Sequence, residues 1–413
     1  MPSKGVKLFI TATALALGGI STSVLAEGVL KIGITAPLTG SAAQSGLATV
    51  QGVQIQADKI NQAGGVDVGG QKYKLELVVE DTENNPAQGV SVVQKLITND
   101  KVDFLIADVF ASSVTMAEME LADQFKTPML SCQPVSSDIS AKVQKNPEKY
   151  QYFWKGNFSS DAYAEGAYES HKMLVANGDL SDGNKKIALI AEDTDYGRSI
   201  AKLTGDLFKG DGWEIVANET VPLGHTNFNA ILSKIDYMEP DVLFSVFTSA
   251  DSGIALSRQF VETGLTAFQY AIYYPLRPEY LQGAKQAGEG MVWSPLSFDL
   301  GFPGAKELND LVQEKFKVSA TGDHANGFDC MGVIAQAYEL AGTTDKAAVA
   351  AAMGRTDFDG VMGKHVFNLD NHTAKAGPDF IRVPTVQIQN GVNKVLWPEN
   401  IANTKYQKQS WMK

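Results

Sequence analysis

Apolar residues in this chain gather in short continuous runs, and the stretches between them carry apolar positions at helical spacing. The first run, at 30–36, passes through a loop of Gly, Ser and Thr into a helical pattern at 46–62 that Gly64 and Gly65 stop. Strands at 73–80, 102–109 and 129–132 then alternate with helices at 86–99 and 113–125. Runs such as "LELVVE" and "FLIADV" fit parallel strands covered by helices on both faces. The alternation restarts with strands at 185–193, 213–221, 241–247 and 268–274 and helices at 197–209, 227–238 and 252–263. The fold class is therefore α/β, with two doubly wound units in tandem and no exact sequence repeat.

After Gly290 the grammar changes. A strand at 291–298 precedes helices at 304–316, 326–341 and 345–353. Segments 363–370 and 385–398 pattern as edge strands or a hairpin, and Asn390-Gly391 is a two-residue turn signal. The tail, 401–413, is polar and irregular.

The start of the chain belongs to neither unit. Lys4 and Lys7 precede an apolar run from Leu8 to Ile20 and the small-residue stretch ending in Ala26. This is the pattern of a secretory signal peptide, residues 1–26, and it sends the protein to the periplasm. A formal net charge of −12 argues against a nucleic-acid partner and for a soluble monomer. In an oxidising compartment the two cysteines, Cys132 and Cys330, either form a bridge or stay as buried thiols.

Catalytic and phosphate-binding signatures are missing from the sequence. Gly33, Gly40 and Gly46 lie too far apart for a dinucleotide or P-loop cradle, so the loop from Pro37 to Ser45 reads as the rim of a ligand cleft. Neither a G-x-S-x-G elbow nor an H-E-x-x-H pair occurs, and the five His have no metal-ligand spacing. No cofactor and no metal are expected; His324 and Asp329 read as capping or surface residues.

Several motifs in order resemble one known family: "KIGITAPLTGSAAQSG", "INQAGGV", "VEDTENNPAQGV", "ASSVTMA", "IALIAEDTDYGRS", "AGEGMVWSP" and "VQIQNGVNKVLWP". The chain looks like the periplasmic solute-binding proteins of ABC importers, of the leucine/isoleucine/valine-binding type. That resemblance implies the type I periplasmic binding protein fold: two doubly wound parallel-sheet lobes, three hinge crossovers and a ligand trapped between them. Mapped here, the first lobe is 27–154 with 293–380, and the second is 155–292 with 381–413.

Site residues follow partly from the resemblance and partly from strand ends. Ser112 matches the family's carboxylate-binding serine, and Ser113 joins it at a helix start beside Phe110. Gln133 and Val135 match a main-chain anchor, with Ser136 supplying the hydroxyl that Val135 lacks. Tyr196 matches a ligand-touching tyrosine of the second lobe. Phe247, Thr248 and Ser249 end a strand that faces the cleft. Tyr274 is read at the place of the family's ammonium-binding acid, with Asp108, Asp251 or Asp329 as substitutes. Ser45 closes the rim loop. The expected function is reception of a small carboxylate-bearing solute, a branched-chain or hydrophobic amino acid or an aromatic or aliphatic acid, and transient delivery to an inner-membrane ABC permease. Ligand sensing for a membrane receptor or sensor kinase is the alternative that the same fold serves.

Overall fold

The computed structural model describes residues 28–412 apart from 297 and 300. The expected signal peptide lies outside the described residues. Two sheets organise the chain. The first has eight strands in the order Phe367–Asn368, Thr373–Ala374, Phe153–Lys155, Met129–Ser131, Phe104–Ala107, Gly28–Ala36, Gln71–Asp81 and Val66–Val68. Its six central strands run parallel, and one antiparallel strand flanks each edge. The second has seven strands: Val392–Trp397, Thr385–Gln389, Val292–Ser294, Phe268–Tyr273, Val242–Phe247, Lys186–Glu192 and Glu214–Val221. Here the last five are parallel and the C-terminal hairpin is antiparallel. Asn390 and Gly391 make its turn, both at positive φ, which Asn and Gly tolerate best.

Strand composition explains this arrangement. Phe104–Ala107, Val242–Phe247 and Phe268–Tyr273 are buried along their whole length, as central parallel strands with helices on both faces must be. The chain crosses between sheets three times, at 156–159, 295–304 and 375–384. Lys155 pins the first crossing. Its buried amine donates to the carbonyls of Asn157 and Phe158 and to Ser159 Oγ, and burial pulls its pKa down to about 7.

Two long helices, Ala43–Gln62 and Gly322–Ala341, pack closely in the first lobe. A Cβ on Gly52 would fall 2.0 Å from the His324 carbonyl oxygen, and one on Gly327 would fall 2.0 Å from that of Thr49. Only glycine at both points permits this approach. Helix Ser160–Ala176 has no counterpart in the sequence reading, because its buried face mixes Tyr163 and Leu174 with small and polar residues such as Gly166 and Ser170.

Cys132 and Cys330 are bridged, with Cα atoms 5.9 Å apart across a separation of 198 residues. The bridge fastens the returning helix Gly322–Ala341 to the strand end after Met129–Ser131. By the loop-entropy relation, a loop of that length contributes about 5 kcal/mol. Replacing both cysteines with Ala is expected to lower unfolding stability by several kcal/mol in a urea titration. A loss under about 1 kcal/mol would show that helix packing alone holds the returning segment.

Candidate functional site

The carboxyl ends of the two parallel sheets face each other, and a cavity of about 250 Å³ lies between them. From the first lobe, Phe110, Ala111, Ser112 and Ser113 line it, with Gln133, Pro134 and Val135 from the next strand end. The second lobe supplies Tyr163, Asp193, Thr194, Asp195, Tyr196, Thr248 and Tyr273. An adjoining chamber shares Asn84, Phe110, Leu223 and Thr248 and is bordered further by Ser45, Ser249, Asp251 and Arg277.

One end of the cavity suits an anion. Helix Ser112–Gln124 begins at Ala111, whose side chain cannot cap it, so its first-turn amides open onto the cavity. Ser112 Oγ accepts the Ser136 amide at 3.3 Å, which leaves the hydroxyl proton free to donate. The acids on the opposite wall are offset. Arg198 pairs with both Asp193 and Asp195, the latter at 2.7 Å. Helix Asp195–Gly210 has its own cap, with Thr194 Oγ1 accepting the Gly197 amide at 3.0 Å.

Tyr273 joins the two lobes. Its hydroxyl accepts from Arg277 Nη2 at 2.7 Å and from Gln133 Nε2 at 3.1 Å, and donates to Asp323 Oδ1 at 3.3 Å. Ser45 Oγ lies 3.2 Å away. Arg277 itself pairs with Asp323 at 3.0 Å, and both side chains are buried. Ser45, Gln133 and Asp323 belong to the first lobe, whereas Tyr273 and Arg277 belong to the second. Tyr273 sits at φ 72°, a conformation that non-glycine residues adopt at an energetic cost.

The sequence candidates divide by position. Phe110, Ser112, Ser113, Gln133, Val135, Tyr196 and Thr248 border the main cavity, and Ser45 and Ser249 border the adjoining chamber. Ser136 is one step removed: it caps helix Ser137–Lys145 and supports Ser112. Four expectations are corrected. Phe247 and Tyr274 lie in the core of the second lobe with ring centroids 5.4 Å apart. The Tyr274 ring fills the slot over Gly253, and its hydroxyl meets Ser245 Oγ at 3.0 Å. Asp329 is buried inside its helix, where it accepts the amides of Val361 and Met362 and bonds His365 at 3.1 Å. Nor does Asp108 reach the cavity, since it accepts the Phe110 and Ala111 amides and the Thr82 hydroxyl.

Tyr163, Tyr273, Arg277 and Asp323 escaped the sequence reading. Only the Tyr273-Tyr274 pair gave a signal, and the choice between its two rings rests on one φ angle. Among cavity-lining described residues, three buried polar atoms have no hydrogen-bond partner: Asn84 Oδ1 and the hydroxyls of Tyr163 and Tyr196. The opening loop is a rim, pinned where Asp81 accepts the Leu38 amide at 2.9 Å and the Thr39 hydroxyl at 2.7 Å.

Behind Ser112, two carboxyl groups share a dry interior. Glu118 Oε2 accepts the Asp108 amide at 2.7 Å and Thr35 Oγ1 at 2.9 Å. Burial pushes Asp108 up to about 6, and burial together with the Asp108 charge pushes Glu118 well above the usual carboxyl range. Unfolded carboxyls titrate near pH 4. As pH rises above that value, the unfolded chain releases these protons first, so the pair lowers stability until the folded groups ionise as well. Wild type is therefore expected to lose thermal stability relative to Glu118→Gln between about pH 5 and about pH 7. Parallel melting curves for the two proteins across that range would refute a raised titration.

Comparison with known proteins agrees with this architecture. The family described as "Periplasmic binding protein" matches residues 29–387. A leucine-, isoleucine-, valine-, threonine- and alanine-binding protein of Pseudomonas aeruginosa is 26% identical over 362 residues, 86% of this chain and 90% of that protein. The branched-chain amino acid transporter substrate-binding protein LivJ of Streptococcus pneumoniae, in complex with isoleucine, superposes with a TM-score of 0.75 at 23% identity, covering 90% of this chain and 100% of that one. A solute-binding protein of an R. palustris ABC transporter, in complex with benzoate, gives a TM-score of 0.74 at 18% identity, with coverage of 92% and 100%. With two doubly wound lobes, three crossovers and a cleft between strand ends, this chain belongs to the family of periplasmic binding proteins, and leucine/isoleucine/valine-binding proteins are its relatives.

Proposed function

We propose that this protein is a periplasmic receptor that closes over a small apolar carboxylate and delivers it to an inner-membrane ABC permease, acting by binding and without chemistry of its own. The observation that carries this reading is the uncapped N-terminus of helix Ser112–Gln124, which opens with two serines onto a cavity whose walls include Phe110, Val135, Tyr196 and Tyr273. Partial positive charge at that helix end favours a carboxylate, and the aromatic walls favour an apolar body. The names of the relatives support it, since proteins of this fold hold isoleucine in one case and benzoate in another.

An aromatic or branched carboxylic acid fits better than an α-amino acid, because Arg198 already pairs with the two acids on the cavity wall. A buried ammonium needs a carboxylate of its own. The second reading, an apolar amino acid, draws on Asp251 at the edge of the adjoining chamber. Calorimetry with leucine, phenylalanine, their deaminated acids and benzoate decides between them. The acids are expected to bind at least about tenfold more tightly, or ~1.4 kcal/mol. Leucine binding that Asp251→Asn abolishes would favour the second reading. Ser112→Ala is expected to weaken the bound acid by about 1.5–3 kcal/mol, the range for a hydrogen bond to a charged group. Unchanged affinity in a folded variant would reduce Ser112 to a structural role.

Closure rests on the Tyr273, Arg277 and Asp323 contacts. Removing one partner of a buried ion pair costs about 3–5 kcal/mol because the other charge stays buried. Opening the cleft returns that charge to water, so the loss registers as a shift toward the open form. Arg277→Met is therefore expected to enlarge the radius of gyration in small-angle scattering and to weaken ligand binding. Arg277→Met with Asp323→Leu should recover much of the compactness. Scattering curves that coincide for wild type and Arg277→Met would show that this pair does not hold the lobes together.

A further inference from the structure

The second-lobe wall of the cavity carries two polar groups that the carboxylate reading does not use. Tyr163 is fully buried on helix Ser160–Ala176, and its ring is held edge-on against Phe158 at 4.8 Å. Tyr196 stands in the first turn of helix Asp195–Gly210, with its ring set against that of Tyr273 at 6.2 Å. Both side chains border the cavity, and both hydroxyls are buried without a hydrogen-bond partner. Their neighbour Tyr273 is different: its hydroxyl is bonded to Arg277, Gln133 and Asp323 and so has nothing to offer a ligand.

Buried hydroxyls in folded proteins are almost always bonded, because an unpaired one forfeits its hydration with no return. Packing alone would be served as well by Phe at either position. The two phenols come from the lobe opposite Ser112 and Ser113, so a ligand bridging the cleft presents its far end to them. Burial raises both phenols well above their ordinary range and keeps their protons in place for donation. Asn84 Oδ1, the third unpartnered atom, lies on the first-lobe side and calls for a donor. A hydroxyl both donates and accepts, so it satisfies either kind of partner.

We infer that Tyr163 and Tyr196 are specificity-determining residues that select a carboxylate bearing a hydroxyl at its far end, of the hydroxylated aromatic acid class. This rests on the carboxylate reading proposed above and narrows it. A site built to bond a hydroxyl rejects the analogue that lacks it, because the site's own polar groups are then left unpaired.

The test is a calorimetric comparison of benzoate with 3-hydroxybenzoate and 4-hydroxybenzoate on wild type, Tyr163→Phe and Tyr196→Phe. Circular dichroism and melting temperature establish that each variant is folded. Wild type is expected to bind at least one hydroxybenzoate at least about tenfold more tightly than benzoate. That ratio should collapse toward one in Tyr163→Phe, in Tyr196→Phe or in both. If benzoate binds wild type as tightly as either hydroxybenzoate, the inference is overturned and the carboxylate reading stands. A preference that survives unchanged in both folded Phe variants also overturns it, since the hydroxyl would then be read elsewhere. Failure of all three acids to bind wild type overturns the inference; if leucine, phenylalanine and their deaminated acids fail as well, the carboxylate reading falls with it.

Discussion

A parallel strand cannot return directly to its neighbour. Each must end in a loop, pass through a helix and come back, so all the carboxyl ends of a parallel sheet lie along one edge. Every functional feature of this protein descends from that constraint. The loops after Phe104–Ala107 and Met129–Ser131 in one sheet face the loops after Lys186–Glu192, Val242–Phe247 and Phe268–Tyr273 in the other. Helix N-termini come with them, and these are where backbone amides lack partners. Among those bordering the cleft, the helix starts after Thr194 and Ser249 are capped by their own side chains. The one after Ala111 is not, and its first turn lines the main cavity.

Polar residues behind the loops hold them in shape. Glu192 accepts the Thr248 and Ser249 amides and the Thr248 hydroxyl, and so fixes the turn at the end of its neighbouring strand. Asp108 does the same for Phe110 and Ala111. Both carboxyl groups are raised by burial, so the loops are held by groups that would rather be neutral. This is a costly way to build a loop, and it is found at the two strand ends that position cleft residues. Burial of acids here marks where geometry matters more than stability.

Buried polar contacts join the lobes beside an apolar cluster that contains residues of both. Asp323 of the first lobe bonds both Tyr273 and Arg277 of the second, and those two bond each other within their own lobe. The bridge between Cys132 and Cys330 lies wholly within the first lobe, so it braces that lobe and does not tie it to the second.

Much of this was legible in the amino-acid order, because it depends on local pattern. Continuous apolar runs alternating with helical periods identify central parallel strands whatever their partners, and the change of pattern after Gly290 comes just before the chain crosses to the first lobe at 295–304. The strand-end pattern points to Thr248, whereas Ser112, Gln133 and Tyr196 follow from the resemblance to leucine/isoleucine/valine-binding proteins, and all four border the main cavity. Direction was not legible. Tyr273 and Tyr274 are adjacent and chemically identical, yet a positive φ turns one toward the other lobe and a glycine slot draws the other into the core. Asp329 has the composition of a ligand but faces three backbone and side-chain donors 32 or more residues away along the chain. Tyr163 sits on a helix whose face of small and polar residues gives no amphipathic signal, and only packing reveals that it borders the cavity with an unpartnered hydroxyl. Sequence determined which elements form and which of their ends converge, since short-range sterics and burial settle both. Which side chain enters the cleft was decided by the tertiary structure, because that depends on contacts between segments far apart in the chain.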